Sequence, residues 1–403
     1  MKNPKFQLIA SFIAMMMIGN LQYTWTLFVE PIRSQHTPWE RPGIQWAYTL
    51  YIALQTWVQP FSGWFIDKIG QRPFVTVAGI LCGLGWSLMG RATSLPELYF
   101  YYGMAGVGAA FVYSGSMGSA LKWFPNRRGF ASGVIAAGYG GGSAISVWIV
   151  RDLLVRYGYP TTFMSMGIFQ GIVIAVVAQF LLYPDKTFVP PKQASAAIAK
   201  KSRHGTGDFT SLQMLATPRF YVLFFMFVAV GLGGLFLTAS SGSMAKDWNL
   251  NSALTVAVSL GLLANAGSRP FWGWVSDKLG RENTMIVAFL LQSVFLVSIV
   301  TIGRTSPILF IATMILTYFT WGEIYALFPA TVGDYYGSKY ATANNSILYA
   351  AKGVAGFVIV LPQMLQKQTG SWGPAFAVCA VLAATTALIA VAIRRLPLPV
   401  KAS

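Results

Sequence analysis

The stretch QPFSGWFIDKIG at residues 59–70 returns as RPFWGWVSDKLG at residues 269–280. At this offset of 210, Pro60/Pro270, Phe61/Phe271, Gly63/Gly273, Trp64/Trp274, Asp67/Asp277, Lys68/Lys278 and Gly70/Gly280 are identical. Each copy closes an apolar run and enters a short charged turn. The chain is 55% hydrophobic and 10% charged, where a soluble domain has about 25% charged residues. A half-chain repeat in such a composition predicts two similar membrane-embedded halves.

Working outward, a transmembrane helix needs about 20 apolar residues. Twelve segments qualify: 8–30, 44–66, 73–91, 97–118, 130–150, 161–183, 218–241, 253–275, 283–303, 307–329, 342–364 and 373–393. The fold expected is all-α, with two pseudo-symmetric six-helix bundles. The domains expected are 1–183, a cytoplasmic linker 184–217 rich in Pro, Lys, Ser and Ala, and 218–403. The first apolar run has no small-residue cleavage site after it and is read as a retained span.

The formal net charge of +17 raises the question of nucleic acid, and its distribution answers it. Most of the Lys and Arg fall in the loops on the side of the termini and linker. Such a bias places both termini and the linker in the cytoplasm. Cys82 and Cys379 both lie in spans, so no disulfide framework or metal spacing is present. No nucleophile–base pair or phosphate loop appears, which argues against an enzyme, and the short linker argues against a sensor output domain.

Two cations sit inside spans. Arg269 lies in TVAVSLGLLANAGSRPFWGW (255–274) and Lys352 in NSILYAAKGVAGFVIVLP (345–362). A charge at the bilayer centre costs at least about 2.5–3.5 kcal/mol on insertion scales, and binding an anion between helices is an economical use for it. Arg presents a planar fork that matches a carboxylate, and Lys a compact point charge. Asn265 is one turn from Arg269 and shares its face. The alternative for Arg269 is a side chain that snorkels toward the cytoplasm. The repeat sets Gln55 and Gln59 opposite Asn265 and Arg269, as candidates for a polar opposite wall or for interhelical hydrogen bonds. Tyr113 and Tyr325 correspond at an offset of 212, and Tyr349 precedes Lys352 by three residues. Tyr23, Trp25, Tyr139 and Trp321 add OH and NH donors and aromatic faces. Glu323 is the one acidic residue well inside a span. On an unbroken helix it points about 160–200° away from Trp321 and Tyr325. It is a candidate for charge or proton coupling, or a protonated partner of a neighbouring helix.

GWFIDKIGQR (63–72) and GWVSDKLGRE (273–282) resemble the loop signature of the major facilitator superfamily, with Gly63, Asp67, Arg72, Gly273, Asp277 and Arg281 as the conformational loop residues. KWFPNRRGFASGVIAAGYGGG (122–142) resembles the corresponding segment of the monocarboxylate transporters. QYTWTLF, NAGSRPFWGWVSDKLGR, TWGEIYALFP and Ala350-Ala351-Lys352 resemble the bacterial oxalate:formate antiporters, whose pattern has a glycine at the position of Glu323. This resemblance implies a carboxylate carrier in the bacterial inner membrane, working by rocking of two halves around a central site lined by these aromatics. It implies oxalate:formate exchange. The alternative is proton-coupled symport of a lactate- or pyruvate-like acid. Asn265 stands where the monocarboxylate family typically has Asp, which weakens that alternative, and His36 and His204 fall in loops. The expected partners are small carboxylate anions (oxalate, formate or a lactate-like acid) and the lipid bilayer, with no nucleic acid. The carrier is expected to be monomeric, with no cofactor and no metal.

Overall fold

The computed structural model describes residues 3–36, 38–185, 207–396 and 398. Most of the expected linker, including His204, lies outside the described residues, as do several of the cations expected on the cytoplasmic side, among them Lys2, Lys186, Lys200 and Lys401.

Every expected span is helical, as a chain in hydrocarbon requires, because each backbone N–H and C=O must be satisfied within the segment. The spans, numbered in chain order, begin with Pro4–Tyr23 continued by Trp25–Gln35, then Arg41–Trp57 continued by Gln59–Ile69, Gln71–Met89 and Leu95–Trp123. The fifth and sixth together cover Arg128–Ala178, and the seventh to ninth are Pro218–Asp247, Asn251–Leu279 and Arg281–Thr301. The tenth is Pro307–Trp321 with Ile324–Tyr336, the eleventh Ala341–Val358 with Val360–Thr369, and the twelfth Trp372–Arg395.

Starts are set by local chemistry. Ser94 and Ser306 accept the backbone N–H groups of Glu97 and Leu309 as N-caps, and prolines occupy the first turn where their missing N–H costs nothing. The repeat is visible in the backbone as well. Gly70 (φ +101°, ψ 162°) and Gly280 (φ +92°, ψ 156°) end the two copies of the motif in nearly the same conformation, one that favours glycine.

The fifth and sixth spans are two helices that meet at a kink at Gly158 (φ +72°, ψ 173°) ahead of Pro160, with helix on either side of it within residues 151–160. Four spans carry internal breaks. The one at Val58 adjoins Pro60, which has no N–H to return to the carbonyl of Thr56. Its repeat twin Pro270 leaves Asn251–Leu279 continuous.

The chain forms two compact units. One comprises Met1–Phe124, Gly138–Pro190 and Tyr340–Ala350, and the other Pro125–Ala137, Pro191–Lys339 and Ala351–Ser403. Two segments thus pack with the half of the chain to which they do not belong in sequence. Residues 125–137 lie against the second half because Gly129 and Gly133 admit backbone contact: a Cβ on Gly133 would overlap the Arg269 carbonyl oxygen. Residues 340–350 lie against the first half, where a Cβ on Gly63 would meet the Ser346 hydroxyl at 2.6 Å.

Candidate functional site

In the second unit the two intramembrane cations converge on one aromatic ring. The Arg269 guanidinium carbon lies 4.6 Å and the Lys352 ammonium 6.0 Å from the centre of the Tyr325 ring. Both cations are buried, at 3% and 7% exposure. Arg269 donates to the Asn265 amide oxygen at 2.8 Å and to the carbonyl of Ala136. Asn265 in turn donates to the Tyr318 carbonyl at 3.0 Å. The guanidinium is therefore anchored within the bundle rather than reaching toward water. Asp277, two turns on, is engaged elsewhere.

Trp321 packs edge-on against Tyr325 with ring centres 5.9 Å apart. It lies flat on the seventh span because residue 234 is glycine, where a Cβ would overlap the indole. The Trp321 Nε1–H and the Arg269 Nε–H have no acceptor among the described residues. Buried donors are rarely left so. Asn265, Arg269, Trp321, Tyr325 and Lys352 therefore form a cationic, donor-rich cluster able to hold a small oxyanion by charge-assisted hydrogen bonds.

Glu323 is not one of its members. It is fully buried, and neither carboxylate oxygen has a hydrogen-bond partner among the described residues. Gly322 and Glu323 keep helical backbone angles (φ −61°, ψ −22° and φ −61°, ψ −32°) where the helices Pro307–Trp321 and Ile324–Tyr336 meet.

The first unit gathers the other candidates into a neutral cluster. Tyr139 donates to the Gln22 amide oxygen at 2.5 Å and accepts from Gln55 Nε2 at 3.3 Å. Gln59 Nε2 donates to the Gln55 carbonyl at 3.0 Å, while the side-chain oxygens of Gln55 and Gln59 have no donor among the described residues. The Tyr139 ring contacts Tyr23 with centres 5.7 Å apart and Tyr113 at 6.3 Å, and Tyr113 contacts Tyr349 at 4.3 Å. Trp25 instead packs on Tyr102, 4.8 Å away, and bonds Gln45. Sequence reading does not single out Gln22, although an amide inside an apolar span is the same signal that marks Gln55 and Gln59.

The loop-signature aspartates each cap a helix. Asp67 accepts the Ala343 N–H at 2.8 Å, at the start of the eleventh span, and pairs with Lys122 at 2.6 Å. Asp277 accepts the N–H groups of Gly129 and Phe130 at 3.0 and 2.8 Å, at the start of the fifth span. It also pairs with Arg281 at 2.7 Å; Arg281 and Arg128 both pair with Asp334 at 2.7 Å. A carboxylate at a helix N-terminus meets orphan N–H groups and the positive end of the macrodipole. Asp334 and Arg128 complete this network and are not expected from the sequence. Gln71 stands at the repeat position of Arg281, buried with both amide atoms unpartnered among the described residues. Arg72 is not in the Asp67 network: it donates to exposed Gln179 at 3.1 and 3.2 Å.

The model of the Major Facilitator Superfamily matches residues 8–360. The chain belongs to the Major Facilitator Superfamily. A curated relative, the oxalate:formate antiporter of Oxalobacter formigenes, is 37% identical over 399 residues, covering 98% of this chain and 92% of the relative. Human monocarboxylate transporter 11 is 27% identical over 255 residues, covering 62% and 51%. Among solved structures, the proton:xylose symporter XylE superposes with a TM-score of 0.70 at 10% identity, covering 98% of this chain and 96% of that one. The Escherichia coli fucose:proton symporter FucP gives 0.69 at 11%, covering 98% and 99%. This facilitator-superfamily protein thus has the twelve-helix fold and is a multi-pass membrane transporter rather than an enzyme.

Proposed function

We propose that this protein is a secondary active carrier of small carboxylates that exchanges oxalate for formate. The observation that carries the reading is the convergence of Arg269 and Lys352 on Tyr325, with the buried Arg269 Nε–H and Trp321 Nε1–H still lacking acceptors among the described residues. The 37% identical relative bears the name of an oxalate:formate antiporter, which supports the same substrates here. Arg269 clamps one carboxylate through its fork, Lys352 neutralises a second charge, and Asn265 and Tyr325 orient the guanidinium. The neutral Gln55, Gln59, Tyr23, Tyr113, Tyr139 and Tyr349 offer hydrogen bonds without adding charge.

Without an anion the cluster holds two like charges in a low dielectric, where their repulsion is large. A dianion cancels both. If the carrier reorients only when the cluster is neutralised, uptake of one anion is tied to release of another, which is exchange by alternating access. The carrier works as a monomer in the bacterial inner membrane, with both termini cytoplasmic and a linker at 184–217 joining halves 1–183 and 218–403. The loop residues Gly63, Asp67, Arg72, Gly273, Asp277 and Arg281 control its change of conformation.

The test is counterflow of labelled oxalate in proteoliposomes loaded with a panel of mono- and dicarboxylates. Arg269→Ala and Lys352→Ala are each expected to abolish oxalate:formate exchange. Wild-type rates in either variant would overturn the assignment.

A further inference from the structure

We propose that Glu323 is a proton-binding site on the tenth span and that it couples one proton to carboxylate movement. The proposal rests on the carboxylate-carrier reading and adds a second transported species to it.

Glu323 has 0% exposure, and neither of its carboxylate oxygens has a hydrogen-bond or ion-pair partner among the described residues. Removing an ionised carboxylate from water without a partner is strongly unfavourable. Leaving a neutral buried polar group unsatisfied is also unfavourable, but less so. The protonated form is therefore the better occupant of this position, and the ionised form needs water. A residue that is unfavourable in either form, yet fully enclosed, fits a group that alternates between enclosure and hydration.

The backbone on either side of it departs from a complete α-helical ladder. The helices Pro307–Trp321 and Ile324–Tyr336 meet at Gly322–Glu323. There the Tyr325 N–H bonds the Gly322 carbonyl at 3.4 Å, a three-residue bond, while the Glu323 carbonyl accepts both the Ala326 N–H at 2.9 Å and, as in a regular α-helix, the Leu327 N–H at 2.8 Å. Further along the same helix, Pro329 has no N–H to return to the carbonyl of Tyr325. The segment carrying Glu323 and Tyr325 thus lies between a three-residue bond at Gly322 and a missing α-helical bond at Pro329.

The charged groups on the elements packed against this helix are mostly committed. Arg128 from the fifth span and Arg281 from the ninth hold Asp334, and Asp277 from the eighth pairs with Arg281. Glu282 accepts from Tyr335, and Arg219 from the seventh span bonds the carbonyls of Ile393 and Leu396 and lies over the Tyr335 ring. Arg269 from the eighth and Lys352 from the eleventh lie at Tyr325, two residues along from Glu323. Reorientation of the Tyr325 segment therefore changes the surroundings of the carboxyl and of the cation cluster together. The step is a simple protonation. A carboxylate oxygen of Glu323 forms an O–H bond with a proton taken from water on one side, and the bond breaks to water on the other side after the carrier reorients.

The experiment uses the full chain in formate-loaded proteoliposomes with a pH dye in the lumen and labelled oxalate as probe. With an acidic exterior, wild type is expected to take up more oxalate than at equal pH and to acidify the lumen. Glu323→Gln is expected to lose both responses while keeping oxalate exchange at equal pH. Glu323→Asp, a second variant, is expected to keep the response with a shifted pH of half-maximal uptake. Lumen acidification in Glu323→Gln equal to wild type would overturn the proposal. So would active exchange without acidification in wild type, or an unshifted Glu323→Asp profile. Absence of any oxalate exchange at equal pH in wild type would instead sink the carboxylate-carrier reading and the coupling with it.

Discussion

The carboxylate of Asp277 accepts the backbone N–H of Gly129 at 3.0 Å across 148 residues of chain. One motif residue thereby caps the fifth span, while its repeat twin Asp67 caps the eleventh through Ala343.

Asp277→Asn keeps the shape of this cap but removes its charge. Arg281 then keeps Asp334 and loses one of its two carboxylates. Breaking one member of a buried ionic group costs about 3–5 kcal/mol, so a clear fall in thermal stability in detergent is expected. A melting temperature unchanged from wild type would show that the cap carries no such stabilisation.

Helix contact at Gly273 leaves no room for a side chain, since a Cβ there would overlap the Gly129 carbonyl oxygen. Gly273→Ala should destabilise by about 1–3 kcal/mol through overpacking. Gly141, where a Cβ would meet nothing within 4 Å, provides the contrast. Its replacement by Ala should be neutral or stabilising by up to about 1 kcal/mol, because a helical glycine carries excess backbone freedom. Thermal unfolding of the two variants side by side checks the difference in sign.

The ring of Tyr325 serves both cations through its face. Tyr325→Phe retains that face and should bind oxalate with nearly wild-type affinity. Tyr325→Leu removes it, and a loss of about 0.5–2 kcal/mol in oxalate binding is expected. Titration calorimetry on both variants decides; equal affinities would assign the ring to packing alone.

Arg269→Lys keeps the charge and discards the fork. Lysine cannot serve Asn265, the Ala136 carbonyl and a substrate carboxylate in one plane. Loss of a charge-assisted hydrogen bond costs about 1.5–3 kcal/mol, so oxalate exchange should fall sharply although net charge is unchanged. Full exchange in Arg269→Lys would mean that charge, not geometry, is what the site requires.

The break at Gly322–Glu323 lies beyond what sequence reading can place. A single glycine in TWGEIYALFP is compatible with a continuous helix, and treating it as one sets Glu323 on a defined face. Packing marks this junction: Gly322 lies against Asn265 and Ser268 of the eighth span, where a Cβ would overlap the Ser268 hydroxyl. Likewise Pro60 and Pro270 are identical in sequence, yet one adjoins a break and the other does not.

Legible in the amino-acid order alone are the membrane class, the helical spans, the half-chain repeat and the presence of two cations within spans. Hydropathy suffices for these because hydrocarbon admits few backbone conformations and makes each charge conspicuous. Tertiary structure decided that Arg269 and Lys352 share Tyr325, that Asp277 caps Gly129, and that Glu323 is enclosed without a partner among the described residues. These depend on contacts between residues far apart in the chain, set by how glycine-bearing helix faces fit together rather than by the polarity of any one segment.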